Sequence, residues 1–117
     1  MTTQEVANRL IELCRKGYVL EAQEELYGEN IISIEPPGAQ VEKAEGLKAV
    51  TEKGRSFAGM IEERHGFSTT DPVVNGKYFT MGMTLDATMK GHGRRLLEEI
   101  CVYKVEDGKI VFEEFFY

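Results

Sequence analysis

The dipeptide Asp107-Gly108 constrains the fold of this chain more than any other short segment. Asp-Gly between alternating apolar residues is typical of a two-residue β-hairpin turn, because both turn positions need a positive φ. A second glycine-containing turn covers residues 90–93. Together the two turns predict three consecutive antiparallel strands between Lys77 and Tyr117.

The two turns also predict how these strands are aligned. A turn at 107–108 pairs Tyr103 with Phe112 and Cys101 with Glu114, and a turn centred on His92 pairs Met83 with Cys101. Both alignments put the same residues of the middle strand on one face. A slip of one residue would move all of these side chains to the other face. A β-bulge would reverse this alternation locally. The predicted inner face is apolar and comprises Phe79, Met81, Met83, Leu85, Leu97, Cys101, Tyr103, Val105, Ile110, Phe112 and Phe116.

Two acidic residues interrupt this apolar face. The predicted alignment puts Glu99 and Glu114 on the inner side of neighbouring strands. Buried carboxylates are costly unless paired, and two in one apolar pocket would raise one pKa, which suits general acid–base catalysis. We therefore take Glu99 and Glu114 as catalytic candidates. The alternative is that a bulge shifts the alignment or that both residues lie at the solvated rim.

The chain up to residue 74 is predicted to form three helices and two strands. Thr2 and Glu5 form a capping-box pattern at the start of the first helix, and Gly17 is placed to end it. The remaining predicted segments are a helix over 18–27, a strand over 30–36 with Ile32 and Ile34 on one side, an irregular loop over 39–45, a long helix over 46–64, and an edge strand over 67–74 interrupted by Pro72. The order α-α-β-α-β-β-β-β predicts one α+β domain over residues 1–117.

Composition limits the range of partners. With 20 acidic and 14 basic residues, the net charge of −6 argues against nucleic acids and anionic membranes as partners. No apolar run is long enough to span a bilayer, and no secretory leader is evident. Cys14 and Cys101 are isolated, without metal-ligand spacing, and are expected to be buried reduced thiols of a cytoplasmic protein. No phosphate loop, metal cluster or cofactor motif is present, so we expect no cofactor.

The order of elements resembles the SnoaL-like families of the nuclear transport factor 2-like superfold. The opening helix pair, the Glu45-Gly46 start of the third helix, and the Asp-Gly-Lys-Ile hairpin before an aromatic-rich last strand carry the resemblance. It implies a cone-shaped half-barrel whose curved antiparallel sheet wraps the long helix and whose pocket opens at the wide end. Isomerases, cyclases, hydrolases and non-catalytic binding domains share this superfold, so the resemblance predicts the fold better than the function.

The catalytic residues of two relatives do not transfer to this sequence. Ketosteroid isomerase has a pocket acid on the strand before the final hairpin, where this chain has Cys101. A thiol does not replace that acid as a strong hydrogen-bond donor, so steroid isomerisation is disfavoured. The aspartate of the SnoaL cyclase has no clear counterpart, although Asp71 and Asp86 are the nearest candidates.

The resemblance also implies a homodimer through the outer sheet face. The predicted interface comprises Thr80, Thr84, Ile100, Val102, Phe115 and Tyr117, because an apolar patch of this kind is unusual on a monomer. The predicted pocket is lined by Phe57, Ile61, Met81, Met83, Cys101, Tyr103 and Phe112.

These features predict a bacterial protein that binds a small, largely apolar molecule. The first alternative is a cofactor-independent isomerase, cyclase or hydrolase using Glu99 or Glu114 as acid–base. The second is a non-catalytic dimerisation domain whose pocket is filled by its own side chains.

Overall fold

The computed structural model of the chain describes residues 1–117 as three helices and seven strands. The helices are α1 (Thr3–Arg15), α2 (Val19–Leu26) and α3 (Leu47–Gly59). The strands are β1 (Tyr27–Ile34), β2 (Lys43–Glu45), β3 (Ile61–Thr69), β4 (Val73–Asn75), β5 (Tyr78–Met89), β6 (Gly93–Glu106) and β7 (Lys109–Phe116). No helix is long and apolar enough to cross a membrane.

The predicted capping box starts α1. Thr2 Oγ1 accepts from the Glu5 amide at 3.1 Å, and the Thr2 amide donates to Glu5 Oε1 at 2.9 Å. These two bonds satisfy donors that a helix N-terminus otherwise leaves free. The helix then buries Val6, Leu10 and Cys14 along one side, as the spacing predicts.

The strands form one curved, unclosed sheet in the order β2-β1-β7-β6-β5-β3, with β4 also paired to β5. This confirms the α+β class and the predicted order of elements. The sheet is mixed rather than entirely antiparallel, because β7 pairs with β6 on one edge and runs parallel to β1 on the other. The last strand therefore lies between the first strand and the rest of the sheet.

Two predicted segment boundaries are wrong. The long helix ends at Gly59 instead of Arg64, and Ile61 begins β3. Helical spacing continued past Gly59 in the sequence, but pairing with β5 outweighs this local preference. The segment predicted as an irregular loop contains β2, which pairs with β1 through Ser33 and Ala44.

The hairpin between β5 and β6 keeps the predicted inner face despite a different alignment. Met83 pairs with Glu99 and Met81 with Cys101, since the turn is centred on Gly91 rather than on His92. The resulting shift is two residues. Because side chains alternate with a period of two, an even shift leaves each side chain on its predicted face.

A β-bulge in β7 changes the last strand. Val105 pairs with Ile110 but Lys104 pairs with Phe112, so Val111 is the extra residue. Beyond it the alternation is reversed, which contradicts the predicted alignment. The residues moved to the inner face are Glu113 and Phe115, and those moved to the outer face are Phe112, Glu114 and Phe116.

The hydrophobic core lies between the helix pair and the inner face of the sheet. It joins α1 and α2 to Tyr27, Ile31, Phe79, Met81, Cys101, Tyr103 and Ile110. The rings of Phe79 and Tyr103 stack with centroids 4.7 Å apart. This packing holds β5 and β6 in place beside the site described next.

Candidate functional site

Polar side chains from α3, β6, β7 and the β1 region converge on the inner face of the sheet. We call this group the inner polar cluster; it comprises Tyr27, Ser33, Glu35, Lys53, Glu99 and Glu113. The first strand and the residue after it supply Tyr27, Ser33 and Glu35, and one residue comes from each of α3, β6 and β7. The cluster is thus assembled from segments far apart in the chain.

Glu113 is the most deeply buried acid of the chain, with an exposed fraction of 1%. The Tyr27 hydroxyl donates to its Oε1, and the Ser33 hydroxyl donates to its Oε2 at 2.6 Å. Burial raises the pKa of Glu113, while the hydrogen bonds from Ser33 and Tyr27 oppose this shift. Both carboxylate oxygens therefore have a donor, as a buried acid requires.

Lys53 brings the single cation of the cluster. Its Nζ donates to Ser33 Oγ at 2.6 Å, lies 3.7 Å from Glu35 Oε2, and lies 5.2 Å from the centre of the Phe115 ring. Only 19% of the Lys53 side chain is exposed. The ammonium is therefore held between a hydroxyl, a carboxylate and an aromatic face.

Glu35 is the second acid near this ammonium. Its Oε1 accepts from the Tyr117 hydroxyl at 3.3 Å, while its buried Oε2 has no hydrogen-bond donor within reach. Burial raises the pKa of Glu35, and the Lys53 charge and the Tyr117 hydroxyl lower it. Burial and the neighbouring carboxylates also raise the pKa of Tyr117 to about 12, so its hydroxyl stays protonated at neutral pH.

Glu99 is the acid best placed for proton transfer. It lies half-buried on the inner face of β6, opposite Met83, and its Oε1 is 3.6 Å from Cys101 Sγ. Burial raises the pKa of Glu99 to about 7, and the charges of Glu35 and Glu113 add to this effect. A carboxyl group with a pKa near the working pH can both take and return a proton.

The cysteines give the site no obvious nucleophile. Cys14 and Cys101 are both buried and unpaired. Burial raises the pKa of the Cys14 thiol to about 12 and raises that of Cys101 as well, so both thiols are protonated at neutral pH.

The structure separates the two predicted catalytic acids. Glu99 lies on the inner face, but Glu114 lies on the outer face because of the bulge at Val111. Its place is taken by Glu113, opposite Tyr103. The prediction that Glu114 is an inner acid is therefore wrong.

The predicted pocket residues lie in several environments. Met81, Cys101 and Tyr103 are buried in the core, and Met83 is half-buried beside it. Ile61 is half-buried in β3 rather than in a helix, while Phe57 at the end of α3 is 47% exposed. Phe112 is wrongly predicted to line the pocket, since it lies on the outer face.

Sequence reasoning did not select four residues of the inner polar cluster, namely Ser33, Glu35, Lys53 and Glu113. One signal was present: Lys53 falls on the helical stripe that contains Val50 and Phe57, where an apolar residue is expected. Ser33 was missed because Ile32 and Ile34 were taken as the inner pair, whereas Ile31 and Ser33 are the buried residues.

The outer side of the sheet carries a second candidate surface. Leu96, Ile100 and Phe116 are 61%, 52% and 49% exposed on β6 and β7. Together with the half-buried Thr80, Thr84 and Val102, they form what we call the outer sheet surface. Two residues of the predicted interface are not part of it: Phe115 packs on the core, and the Tyr117 hydroxyl donates to Glu35.

Three helices packed on one curved, unclosed sheet match the cystatin-like fold of α+β proteins. The SnoaL-like domain family matches residues 1–117, and the chain belongs to this family. No curated protein matches the sequence.

Solved structures agree with this assignment. A candidate SnoaL-like polyketide cyclase from Mesorhizobium loti, also labelled a carbohydrate phosphatase, is 32% identical, with all of both chains covered and a TM-score of 0.94. An NTF2-like protein from Burkholderia pseudomallei has a TM-score of 0.81 at 16% identity, covering 100% of this chain and 92% of its own. A protein of ketosteroid isomerase-like fold from Catenulispora acidiphila, in complex with trimethylamine, has a TM-score of 0.76 at 16% identity, covering 99% and 87%. The last two show likeness of fold alone.

Proposed function

We propose that the inner site binds a small, largely apolar organic molecule and transfers a proton on it, with Glu99 as the acid–base. The observation that carries this proposal is the convergence of Glu99, Glu35 and Glu113 around the single ammonium of Lys53. Met83, opposite Glu99, and Phe115, beside Lys53, supply apolar contacts next to these polar groups. The Mesorhizobium relative, described as a candidate polyketide cyclase, supports a reaction of the cyclase type.

The proposed reaction begins with the ionised form of Glu99. Its carboxylate takes a proton from a carbon next to a carbonyl group, and the bonding electrons move to the carbonyl oxygen as an enolate. The Lys53 ammonium, which has three N–H donors, stabilises that oxygen. Glu99 then returns the proton to another carbon of the enolate; alternatively, the enolate carbon attacks a second carbonyl and closes a ring, and the resulting alkoxide takes the proton back from Glu99. Neither route changes the oxidation state of the substrate.

The test uses an enolisable apolar ketone, β-tetralone, in D2O. NMR follows the loss of its acidic C–H signals at about pH 7, where Glu99 is partly ionised. We expect the protein to accelerate exchange and Glu99→Gln to lose at least about 100-fold of that acceleration, the usual contribution of general acid–base catalysis. Glu98→Gln is the matched control, because Glu98 is an exposed neighbour on the outer face.

Three results would contradict all or part of this proposal. Acceleration that survives Glu99→Gln would remove Glu99 from the reaction. Binding of β-tetralone without acceleration would leave a binding pocket and overturn catalysis. If the protein neither binds β-tetralone nor accelerates its exchange, an association domain is favoured.

The outer sheet surface supports a second proposal, that two copies associate through it. Exposed Ile100 and Phe116 pair across β6 and β7, and exposed Leu96 lies on the same face of β6 four residues before Ile100; exposed apolar surface of this kind marks association sites. This homodimer is compatible with catalysis in each copy. A bacterial cytoplasmic location stays a prediction.

A further inference from the structure

We propose that Ser33 is a positioning residue, which holds the Lys53 ammonium beyond hydrogen-bond distance of the carboxylates of the site so that it remains available to a substrate oxygen. Glu113 and Tyr27 are its buried support. This inference rests on the proposed function for the role of the ammonium, but the arrangement of these side chains can be tested without any substrate.

The direction of the hydrogen bonds follows from the number of donors. An ammonium has only donors, so Ser33 Oγ accepts from Lys53 and its own proton goes to Glu113 Oε2; each of these two distances is 2.6 Å. Tyr27 donates to the other oxygen of Glu113. The chain of bonds thus runs one way, from the ammonium to a carboxylate.

Burial makes this support rigid. Ser33 is completely buried, and Glu113 and Tyr27 are 1% and 5% exposed. Ser33 and Tyr27 lie on β1, and Glu113 lies on β7, which pairs with β1 through Ser33 and Glu113 themselves. A flexible lysine side chain is therefore bound to a fixed point of the sheet.

The position of the ammonium leaves N–H groups of Lys53 without a hydrogen bond. The ammonium donates one hydrogen bond, to Ser33, and lies 3.7 Å from Glu35 Oε2 in an ion pair that is longer than a hydrogen bond, so its other N–H groups are not hydrogen-bonded. Without Ser33, the attraction of the nearby carboxylates would draw the ammonium into hydrogen-bonded ion pairs with them. Glu35 Oε2, which has no donor, is the nearest acceptor. An ammonium paired in this way would be less able to stabilise an enolate.

The groups around Glu99 make this displacement measurable. The charged or titratable carboxyl and amine groups are Lys53 on α3, Glu35 after β1 and Glu113 on β7, and the neutral groups are the Cys101 thiol on its own strand and the Tyr117 hydroxyl. Lys53 lowers the pKa of Glu99, whereas the charges of Glu35 and Glu113 raise it. An ammonium drawn towards Glu35 and Glu113 would offset their charges more fully and so lower the pKa of Glu99 further. Removing the ammonium altogether would have the opposite effect.

The experiment is a carbon-13 NMR titration of protein labelled at the glutamate side-chain carboxyl carbons. The resonance of Glu99 is assigned by its loss in Glu99→Gln. We expect Ser33→Ala to lower the pKa of Glu99 by about half a unit or more, since an opposite charge at close range lowers a carboxyl pKa by about 1–3 units. Ser33→Thr, which keeps the hydroxyl, is expected to restore the wild-type value.

Ser56→Ala is the matched control, because Ser56 is exposed on α3 one turn after Lys53. If Ser33→Ala does not fold, Ser33→Cys provides a weak hydrogen-bonding group of similar size and is expected to lower the pKa of Glu99 in the same direction. An unchanged or raised pKa of Glu99 in the folded variant would overturn the positioning role. A lowered pKa combined with no exchange of β-tetralone would uphold the positioning of Lys53 and reject the proposed reaction.

Discussion

Tyr103 and Glu113 oppose each other across β6 and β7, so that a carboxyl group lies directly beside the buried core. Glu113→Ala would leave the Tyr27 and Ser33 hydroxyls without their shared acceptor. We expect a loss of unfolding free energy of about 1–3 kcal/mol for each buried hydroxyl left without its acceptor. Urea denaturation measures it. Glu114→Ala on the outer face is the control, and an equal loss there would contradict a special role for Glu113.

The stability of the protein is expected to fall as the pH rises, because Glu99 loses its proton. The pKa of this acid is about 7 in the folded state and 4.5 ordinarily, so the folded state binds more protons between these values. The contribution of Glu99 to stability is therefore largest below about pH 4.5 and declines as the pH rises to about 7. At about 1.4 kcal/mol per pKa unit, the decline is at most about 3 kcal/mol.

Glu99→Gln removes this titration. We expect the variant to be more stable than the wild type at about pH 8 and nearly equal to it at about pH 4.5, measured by chemical denaturation at both pH values. Glu98→Gln is expected to leave the wild-type pH dependence intact. A Glu99→Gln variant that is less stable at high pH would mean that the carboxylate makes hydrogen bonds worth more than its burial costs.

Lys53→Met is expected to raise the pKa of Glu99 above about 7. The ammonium is the cation that opposes the effect of Glu35 and Glu113 on Glu99, so its removal favours the protonated acid. The same carboxyl-carbon titration measures the change. Lys48→Met, an exposed position on the same helix, is expected to have no effect. A lowered pKa would show that the ammonium does not act on Glu99 as the structure indicates.

Gly54 and Gly59 are expected to respond differently to replacement by alanine. A Cβ at Gly54 would lie 3.0 Å from Gln23 Oε1 and 3.2 Å from Leu20 Cδ2, whereas nothing lies within 4 Å of one at Gly59. Alanine favours a helix over glycine by about 1 kcal/mol. We expect Gly59→Ala to stabilise and Gly54→Ala to be at least about 1 kcal/mol less stable than Gly59→Ala, by thermal or urea denaturation. Equal effects would mean that α2 yields easily to the added methyl group.

Ile100→Asp is expected to convert a dimer into a monomer. It places a charge in the middle of the outer sheet surface, where burial against a second copy would leave that charge unpaired. Light scattering measures the mass. Val41→Asp, in the loop between β1 and β2, is the control and is expected to leave the dimer intact. A wild-type monomer, or an Ile100→Asp dimer, would reject this interface.

Sequence patterns predicted the fold because its strongest signals are local. The Asp107-Gly108 turn has φ values of 51° and 75°, the positive values that this dipeptide favours, and the capping box at Thr2 forms as expected. Glu99 was placed on the correct face because the shift in β5–β6 alignment is even.

The candidate site was harder to predict because it depends on contacts between distant segments. The bulge at Val111 exchanges the faces of Glu113 and Glu114, and no local signal in β7 marks it. The parallel pairing of β1 with β7, which brings Ser33 beside Glu113, is likewise a tertiary feature. Only Lys53, a charged residue on an apolar helical stripe, could have been identified from spacing.

The position of β7 between β1 and β6 has a consequence for when the site comes into existence during protein synthesis. Residues 27–35 emerge from the ribosome early, but their partners at 113–117 follow 80 to 86 residues later. Until then, Tyr27 and Ser33 have no carboxylate of β7 to bind. The inner polar cluster is therefore complete only in molecules whose sheet has been completed, and the proposed proton transfer is restricted to them.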